Sequence, residues 1–347
     1  MRRARPCQET RLIRAFRDSG DTERKPRAIR GRIPAGMRER ARQVIRGLLI
    51  ATGVYLAMLL MLTLLQRSLI YMPTRQAPIE TREAGLPAGR VHDIVVPAAD
   101  GQSLHGWHFL PANSPAHTDA ECDRLLAKAS WVVLYFSGNA GHRGYRAAEA
   151  DLLNRLDCHV FLVDYRGYGD NGGDPSEEAF AKDAESVWRY ATVTRQVPPH
   201  KILLFGESLG GGVAVRLAAD RCDRGERPGG LILRATFPSL VAVAGWHYPW
   251  LPVQWAMQER YPSVERIPRV TCPVLHFHGT RDSIVPEKMG RQLFAAAPAQ
   301  STNGVEKRYV DLPGVDHNDI LETAGGRVRE VLRSWLAELD VHSQSPS

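Results

Sequence analysis

Cysteine is scarce in this chain: five in 347 residues, at positions 7, 122, 158, 222 and 272. None stands in C-x-x-C spacing, which leaves out thiolate zinc sites and dithiol redox motifs. Four of the five follow the long apolar run described below, where an oxidising compartment would permit disulfides. Cys158 and Cys272 adjoin apolar runs and read as buried thiols, whereas Cys122 lies in a polar insertion with no evident partner. His276 and His278, two apart on one strand, face the same side but lack a third ligand, so no metal site is expected. No glycine-rich loop carries the Lys-Ser/Thr of a P-loop. Gly167-Tyr168-Gly169-Asp170-Asn171-Gly172 has dinucleotide spacing, but Gly173, Asp174 and Pro175 separate it from the next helix, and Asp170 and Asp174 would repel phosphate. No internal repeat is present.

Positive charge is also missing from most of the chain. The formal net charge is +7, yet residues 1–46 hold 15 Lys+Arg against 5 Asp+Glu, and the remainder holds 30 against 33. The folded part is slightly acidic, which argues against a nucleic-acid partner. Residues 1–46, broken by Pro6, Pro26 and Pro34, read as a disordered basic tail. Met37 lies just ahead of the apolar run, and a translation start there is an expectation that the intact mass of the natural protein tests.

What is present begins with an uncharged run, Gly47 to Leu65. It is long enough to span a hydrocarbon core and has no polar face for a soluble core helix. No small-x-small cleavage site follows it. Residues 47–66 therefore read as an uncleaved single-pass transmembrane anchor. The arginines ahead of it put the N-terminus in the cytoplasm and the rest on the opposite, periplasmic or extracytoplasmic, side.

Residues 67–342 alternate apolar strands with helices, after an opening hairpin turned at Asp100-Gly101. The pattern predicts an α/β domain with a mostly parallel central sheet covered on both faces. Residues 111–130 read mostly as a polar loop. Asp174-Pro175-Ser176-Glu177 reads as a helix start capped by Asp174. Residues 343–347 read as a loose tail. The stretch at about 236–270 interrupts the alternation and is rich in aromatics and prolines, as a small cap would be.

Between the strand Lys201–Phe205 and the helix from Val213 sits Gly206-Glu207-Ser208-Leu209-Gly210, a G-x-S-x-G at a strand-to-helix turn. Such a turn exposes a serine hydroxyl at the top of a sheet. The serine needs a histidine to take its proton and a carboxylate to orient that histidine. Two later strand ends carry candidates in the right order: Asp282 after the strand ending at His278, and His317 after the strand ending near Val310. Asp316 is a rival acid, but its adjacency to His317 makes the approach awkward. The oxyanion hole needs two N–H groups. Leu209 supplies one; the loop Ser137-Gly138-Asn139-Ala140-Gly141 supplies the other, with Asn139 favoured and Ala140 the alternative.

These motifs, together with Asp164-Tyr165-Arg166-Gly167-Tyr168-Gly169, Gly279-Thr280-Arg281-Asp282 and Asp316-His317-Asn318-Asp319, resemble the ABHD-type α/β-hydrolases. The branch with a membrane anchor followed by Gln-Arg-Ser-Leu-Ile-Tyr-x-Pro, here Gln66 to Pro73, is the most similar. The resemblance implies the α/β-hydrolase fold, the triad Ser208, Asp282 and His317, and cofactor-free hydrolysis of acyl esters or thioesters, lipid-like or small. Ser137 and Asn171 depart from its usual His and Ser. Trp246, Tyr248 and Trp250 of the cap are candidates for an acyl-binding wall. A serine peptidase or aminopeptidase on the same fold, and a catalytically silent membrane scaffold, are the competing expectations.

Overall fold

The computed structural model describes residues 35–343. The basic tail expected over residues 1–46 lies outside the described residues up to Pro34, as do residues 344–347 and Cys7. The chain divides into two compact units, 1–56 and 57–347.

In its described part the first unit is helical. It holds the start of α1 (Ala35–Ile70), which continues into the second unit. The tail's predicted end at Arg46 is thus too late: no proline follows Pro34 before Pro73, and Arg38, Glu39, Arg40 and Ala41 favour a helix despite Gly36. Among the described residues α1 is the one helix long and apolar enough to cross a membrane, and its apolar stretch is uncovered by protein.

The second unit follows in chain order with β1 (Met72–Pro73), β2 (Val91–Pro97), β3 (Ser103–Phe109), α2 (Asp119–Ala127), β4 (Trp131–Phe136), β5 (Ala140–Gly141), α3 (Ala147–Asn154), β6 (Cys158–Val163) and α4 (Glu177–Arg189). Then come β7 (Ile202–Glu207), α5 (Leu209–Asp223), β8 (Gly230–Arg234), α6 (Leu240–His247), α7 (Val253–Ala256), α8 (Ser263–Arg266), β9 (Val274–Gly279), α9 (Glu287–Ala296), β10 (Arg308–Leu312) and α10 (Ile320–Ser343).

Eight strands form one sheet in the order β10-β9-β8-β7-β4-β6-β3-β2. The β2–β3 and β3–β6 pairings are antiparallel and the other five are parallel. Alternation along β4 explains the two cores. Val132, Leu134 and Phe136 join one apolar cluster with Phe180 of α4, Val213 of α5 and Leu293 of α9. Trp131, Val133 and Tyr135 point the other way, into a second cluster with Leu153 of α3 and Trp335 of α10. Side chains of one strand leave opposite faces, so a fully apolar strand requires two cores.

Two local expectations need correction. The polar loop at 111–130 contains α2, because Thr118 and Glu121 form a capping box: Thr118 Oγ1 accepts from the Glu121 N–H at 3.3 Å, and Glu121 accepts from the Thr118 N–H at 3.2 Å. Helix α4 is capped by Ser176, which accepts from the Ala179 N–H at 3.1 Å, and not by Asp174. Ser176 lies nearer the helix and has extended backbone, as an N-cap needs.

Candidate active site

Parallel strands end on one side of the sheet, and the loops beyond their carboxyl ends share one crevice. Ser208 follows β7 directly. Its φ of 51° and ψ of −113° are unusual for a residue with a side chain. That backbone persists because its surroundings hold it. The Ser208 N–H donates to the Arg234 carbonyl at 2.8 Å, and Thr236 Oγ1 donates to the Ser208 carbonyl at 2.8 Å. Glycine clears the space around the turn. A Cβ on Gly206 would stand 2.6 Å from Gly211 Cα, and one on Gly210 would stand 2.1 Å from the Phe136 carbonyl oxygen.

Glu207, the variable residue before the serine, anchors the turn from below. Its carboxylate takes Arg146 Nε at 2.7 Å, the Tyr135 hydroxyl at 2.9 Å and Arg234 Nη2 at 3.0 Å. Burial pushes its pKa up, but the two arginines outweigh burial and hold it at about 2.

The loops after β9 and β10 bring the other two predicted residues to Ser208. His317 Nε2 lies 3.0 Å from Ser208 Oγ, and His317 Nδ1 lies 2.7 Å from Asp282 Oδ2. Asp282 is buried. Its Oδ1 accepts from the backbone N–H groups of Ile284 at 3.0 Å and Val285 at 2.7 Å. Burial raises its pKa, while hydrogen bonds from His278, His317 and Val285 lower it to about 2, so it carries charge at neutral pH. Asp316, the rival acid, points elsewhere. Its carboxylate accepts from the Ser283 N–H at 2.8 Å and the His317 backbone N–H at 2.7 Å, which ties the two loops together.

The loop after β4 passes beside the elbow. Asn139 directs its side-chain amide to the Ile70 carbonyl at 2.9 Å. Its own carbonyl accepts from the Met72 N–H at 2.9 Å and the Tyr168 hydroxyl at 2.8 Å. β1 and β5 pair here, Met72 opposite Ala140. Leu209 is the first residue of α5, where a helix leaves its N–H without an intrahelical partner. Ser137, where the family resemblance leads one to expect His, has a buried hydroxyl with no partner among the described residues. Asn171 accepts from the His105 N–H at 2.8 Å and donates to the Asp164 carbonyl at 2.7 Å, so its longer side chain bridges two strand ends.

Trp246, Tyr248 and Trp250 are 51%, 51% and 59% exposed, and Trp255 reaches 91%. The hydrogen bonds of Ser208 described above run to His317, Arg234 and Thr236. Trp246 lies on α6, whose last residue, His247, donates from Nε2 to the carbonyl of Ile284, two residues after Asp282, at 2.8 Å. Sequence reasoning missed Glu207, His278 and the Ser283–Asp316 tie. An acidic residue inside G-x-S-x-G, and an Asp immediately before the His, were the available signals.

Residues 127–264 match the family described as serine aminopeptidase, S33. An uncharacterized protein of Mycobacterium tuberculosis strain H37Rv is 42% identical over 280 residues, covering 80% of this chain and 90% of that one. The lysophosphatidylserine lipase ABHD12 of Danio rerio is 30% identical over 303 residues, covering 79% and 78%. The chain belongs to the ABHD-type α/β-hydrolases. It has the α/β-hydrolase fold and is a hydrolytic enzyme. Solved structures agree on the fold. An α/β-hydrolase of Vibrio vulnificus superposes with a TM-score of 0.55 at 17% identity, over 70% of this chain and 81% of that one. The Pyrococcus furiosus esterase Pf2001 gives 0.56 at 13% identity, over 78% and 98%. The ABHD family therefore accounts for the helix-flanked mixed sheet.

Proposed function

We propose that the protein is a membrane-anchored serine hydrolase that cleaves an acyl ester, with residues 47–66 as anchor, 67–342 as hydrolase domain and about 236–270 as cap. One observation carries the mechanism: the His317 ring stands between Ser208 Oγ and the charged Asp282. Ser208 Oγ attacks the acyl carbonyl carbon while His317 Nε2 takes its proton. Asp282 holds the ring orientation and stabilises the imidazolium. The N–H groups of Leu209 and Asn139 receive the developing oxyanion. The tetrahedral intermediate collapses; the C–O bond to the alcohol breaks, and His317 returns the proton to that oxygen. Water then attacks the acyl-enzyme by the same route and frees the acid and Ser208. No metal or cofactor enters any step.

A lipid-like ester is favoured. Relatives named lysophosphatidylserine lipase span most of this chain, and α1 would hold the site beside a bilayer. The arginines before α1 support a cytoplasmic N-terminus with the hydrolase domain on the opposite side. The family description favours a second reading, an aminopeptidase. Binding a free α-amino group needs an unpaired carboxylate. Glu207 is engaged by Arg146 and Arg234, and Asp316 by Ser283 and His317, which weighs toward the ester. The test is fluorophosphonate labelling of the full chain in detergent, followed by turnover of acyl esters against aminoacyl amides. Ser208→Ala should abolish labelling. A mutant labelled as strongly as wild type would reject the assignment, and preferential amide turnover would favour the peptidase.

A further inference from the structure

The cap's exposed aromatics are used by none of the steps above. Trp246, Tyr248, Trp250 and Trp255 all lie within ten residues of chain, and each is at least half exposed. Lone exposed apolar residues need no explanation, whereas several large aromatics together mark an interaction surface. Trp255 is the extreme case, with almost its whole side chain in contact with solvent.

The position of this group relative to α1 identifies its partner. Gln66 follows the last apolar residue of the run, Leu65, so on the anchor reading it lies at the membrane–water boundary. Gln66 is buried against the far end of the cap. Its Oε1 accepts from the Gln258 N–H at 2.8 Å, and its Nε2 donates to the Thr63 carbonyl at 2.7 Å. Arg67 Nε pairs with Glu259 Oε1 at 2.7 Å, and the Tyr71 hydroxyl donates to Glu259 Oε2 at 2.6 Å. Gln258 and Glu259 are therefore pinned at the boundary too. Trp255 is three residues from Gln258, a reach of at most about 10 Å. Tryptophan and tyrosine favour that depth, since an apolar ring can enter the acyl region while its polar edge stays wet.

We infer that the cap's exposed aromatic face, with Trp255 nearest the boundary, docks onto the leaflet from which α1 emerges, so that the lipid-like ester proposed above enters the site from that leaflet. The inference rests on the anchor and hydrolase readings. At its other end the cap touches the loop of Asp282 through His247 on Ile284, and the start of α9 through Lys288 Nζ, 3.4 Å from the Trp246 ring centroid. The cap thus touches both the residues at the end of the apolar run and the neighbourhood of the candidate acid. A lipid lifted from the leaflet would travel along the cap and never cross bulk water.

The chain's tryptophans make the test direct. Of seven, Trp107, Trp131, Trp188 and Trp335 are buried, and α1 holds none. The full chain is reconstituted into phosphatidylcholine vesicles with or without bromine on the upper acyl chain. Bromine should quench emission by up to three parts in seven, the share of Trp246, Trp250 and Trp255. Trp255→Ser should remove a large part of that quenching. The same variant should raise the apparent KM for monooleoylglycerol in vesicles about tenfold, and leave turnover of water-soluble p-nitrophenyl butyrate unchanged. Equal emission in brominated and plain vesicles overturns the inference. Quenching requires no turnover, so it is independent of the hydrolase reading, which the butyrate ester and Ser208 labelling examine. Release of the chain by alkaline carbonate would remove the anchor and this inference together; retention without quenching removes this inference alone.

Discussion

The side-chain amide of Asn139 donates to the carbonyl of Ile70, the last residue of α1, at 2.9 Å. The residue proposed to face the oxyanion with its backbone N–H is therefore held by the segment that leaves the apolar helix. Its carbonyl is fixed as well, by the Met72 N–H and the Tyr168 hydroxyl. The side chain and the peptide that follows Asn139 are thus both anchored, which fixes the residue about its Cα and limits how far its own N–H can swing, a form of the preorganisation an oxyanion site needs.

Asn139→Ala keeps the backbone N–H and removes only the clamp. We expect kcat to fall about tenfold, or about 1.4 kcal/mol of barrier, with KM nearly unchanged. Steady-state kinetics on a soluble ester checks this. An effect confined to KM would mean that Asn139 serves binding and not the oxyanion.

Asp282→Asn should lower kcat by roughly a thousandfold or more, because a neutral amide neither fixes the His317 tautomer nor stabilises the imidazolium. The folded-state pKa of Asp282 is depressed to about 2, below the ordinary carboxylate value. A depressed acid contributes stability above its unfolded pKa and loses it as pH falls through the folded value. Wild type should accordingly lose this contribution between about pH 4 and pH 2, and Asp282→Asn should not. Denaturant unfolding across that range gives the comparison.

Gly210→Ala should be among the more damaging single-methyl changes in the chain. Its Cβ would meet the Phe136 carbonyl oxygen at 2.1 Å and that of Ser137 at 2.5 Å, both backbone atoms. Overpacking of this kind costs roughly 3 kcal/mol or more, and it would displace the loop of Asn139. Gly326→Ala on α10 meets nothing within 4 Å and is the control, neutral or stabilising by up to about 1 kcal/mol. Thermal unfolding of the two variants should separate them clearly.

His108 and His159 form a buried pair with 2.9 Å between His108 Nε2 and His159 Nδ1. Burial, assisted by Arg195, lowers the His159 pKa to about 4, and burial first, then His159, holds His108 well below its ordinary value. The unfolded chain then binds more protons below the ordinary histidine value, so stability is full at neutral pH and falls as pH drops from about 6.5 toward 4. His159→Gln should flatten this slope while leaving the Asp282 transition in place. A slope unchanged in the variant would assign the acid sensitivity to other groups.

The sheet and the meeting of Ser208, Asp282 and His317 are legible in the sequence because each rests on a local signature. Continuous apolar runs mark the strands, and short polar loops after them carry the three residues in order. The clamp around Glu259 has no such signature. Its bond to Tyr71 joins positions 188 apart, and nothing near either residue announces the other. The start of α4 was misread for a different reason. Asp174 and Ser176 both accept N–H bonds well, and only the backbone of Ser176, at φ −161° and ψ 163°, decides between them. Helix α2 was hidden because polar composition alone resembles a loop, although Thr118 and Glu121 stood at capping-box spacing. The cap's aromatic composition was plain, but composition says nothing about which way rings face, and the exposure of Trp246, Tyr248 and Trp250 is a property of the assembled chain.

The pairing of Met72 with Ala140 sets where this protein can be cut. A soluble form would ordinarily be started just after the apolar run, and the choice of first residue looks free. It is not: starting at Thr74 deletes Tyr71, Met72 and the carbonyl of Ile70, leaving Glu259 short of its hydroxyl partner and Asn139 short of its strand. Starting at Gln66 keeps all three. Of two fragments differing by only a few residues, the longer should be the active one.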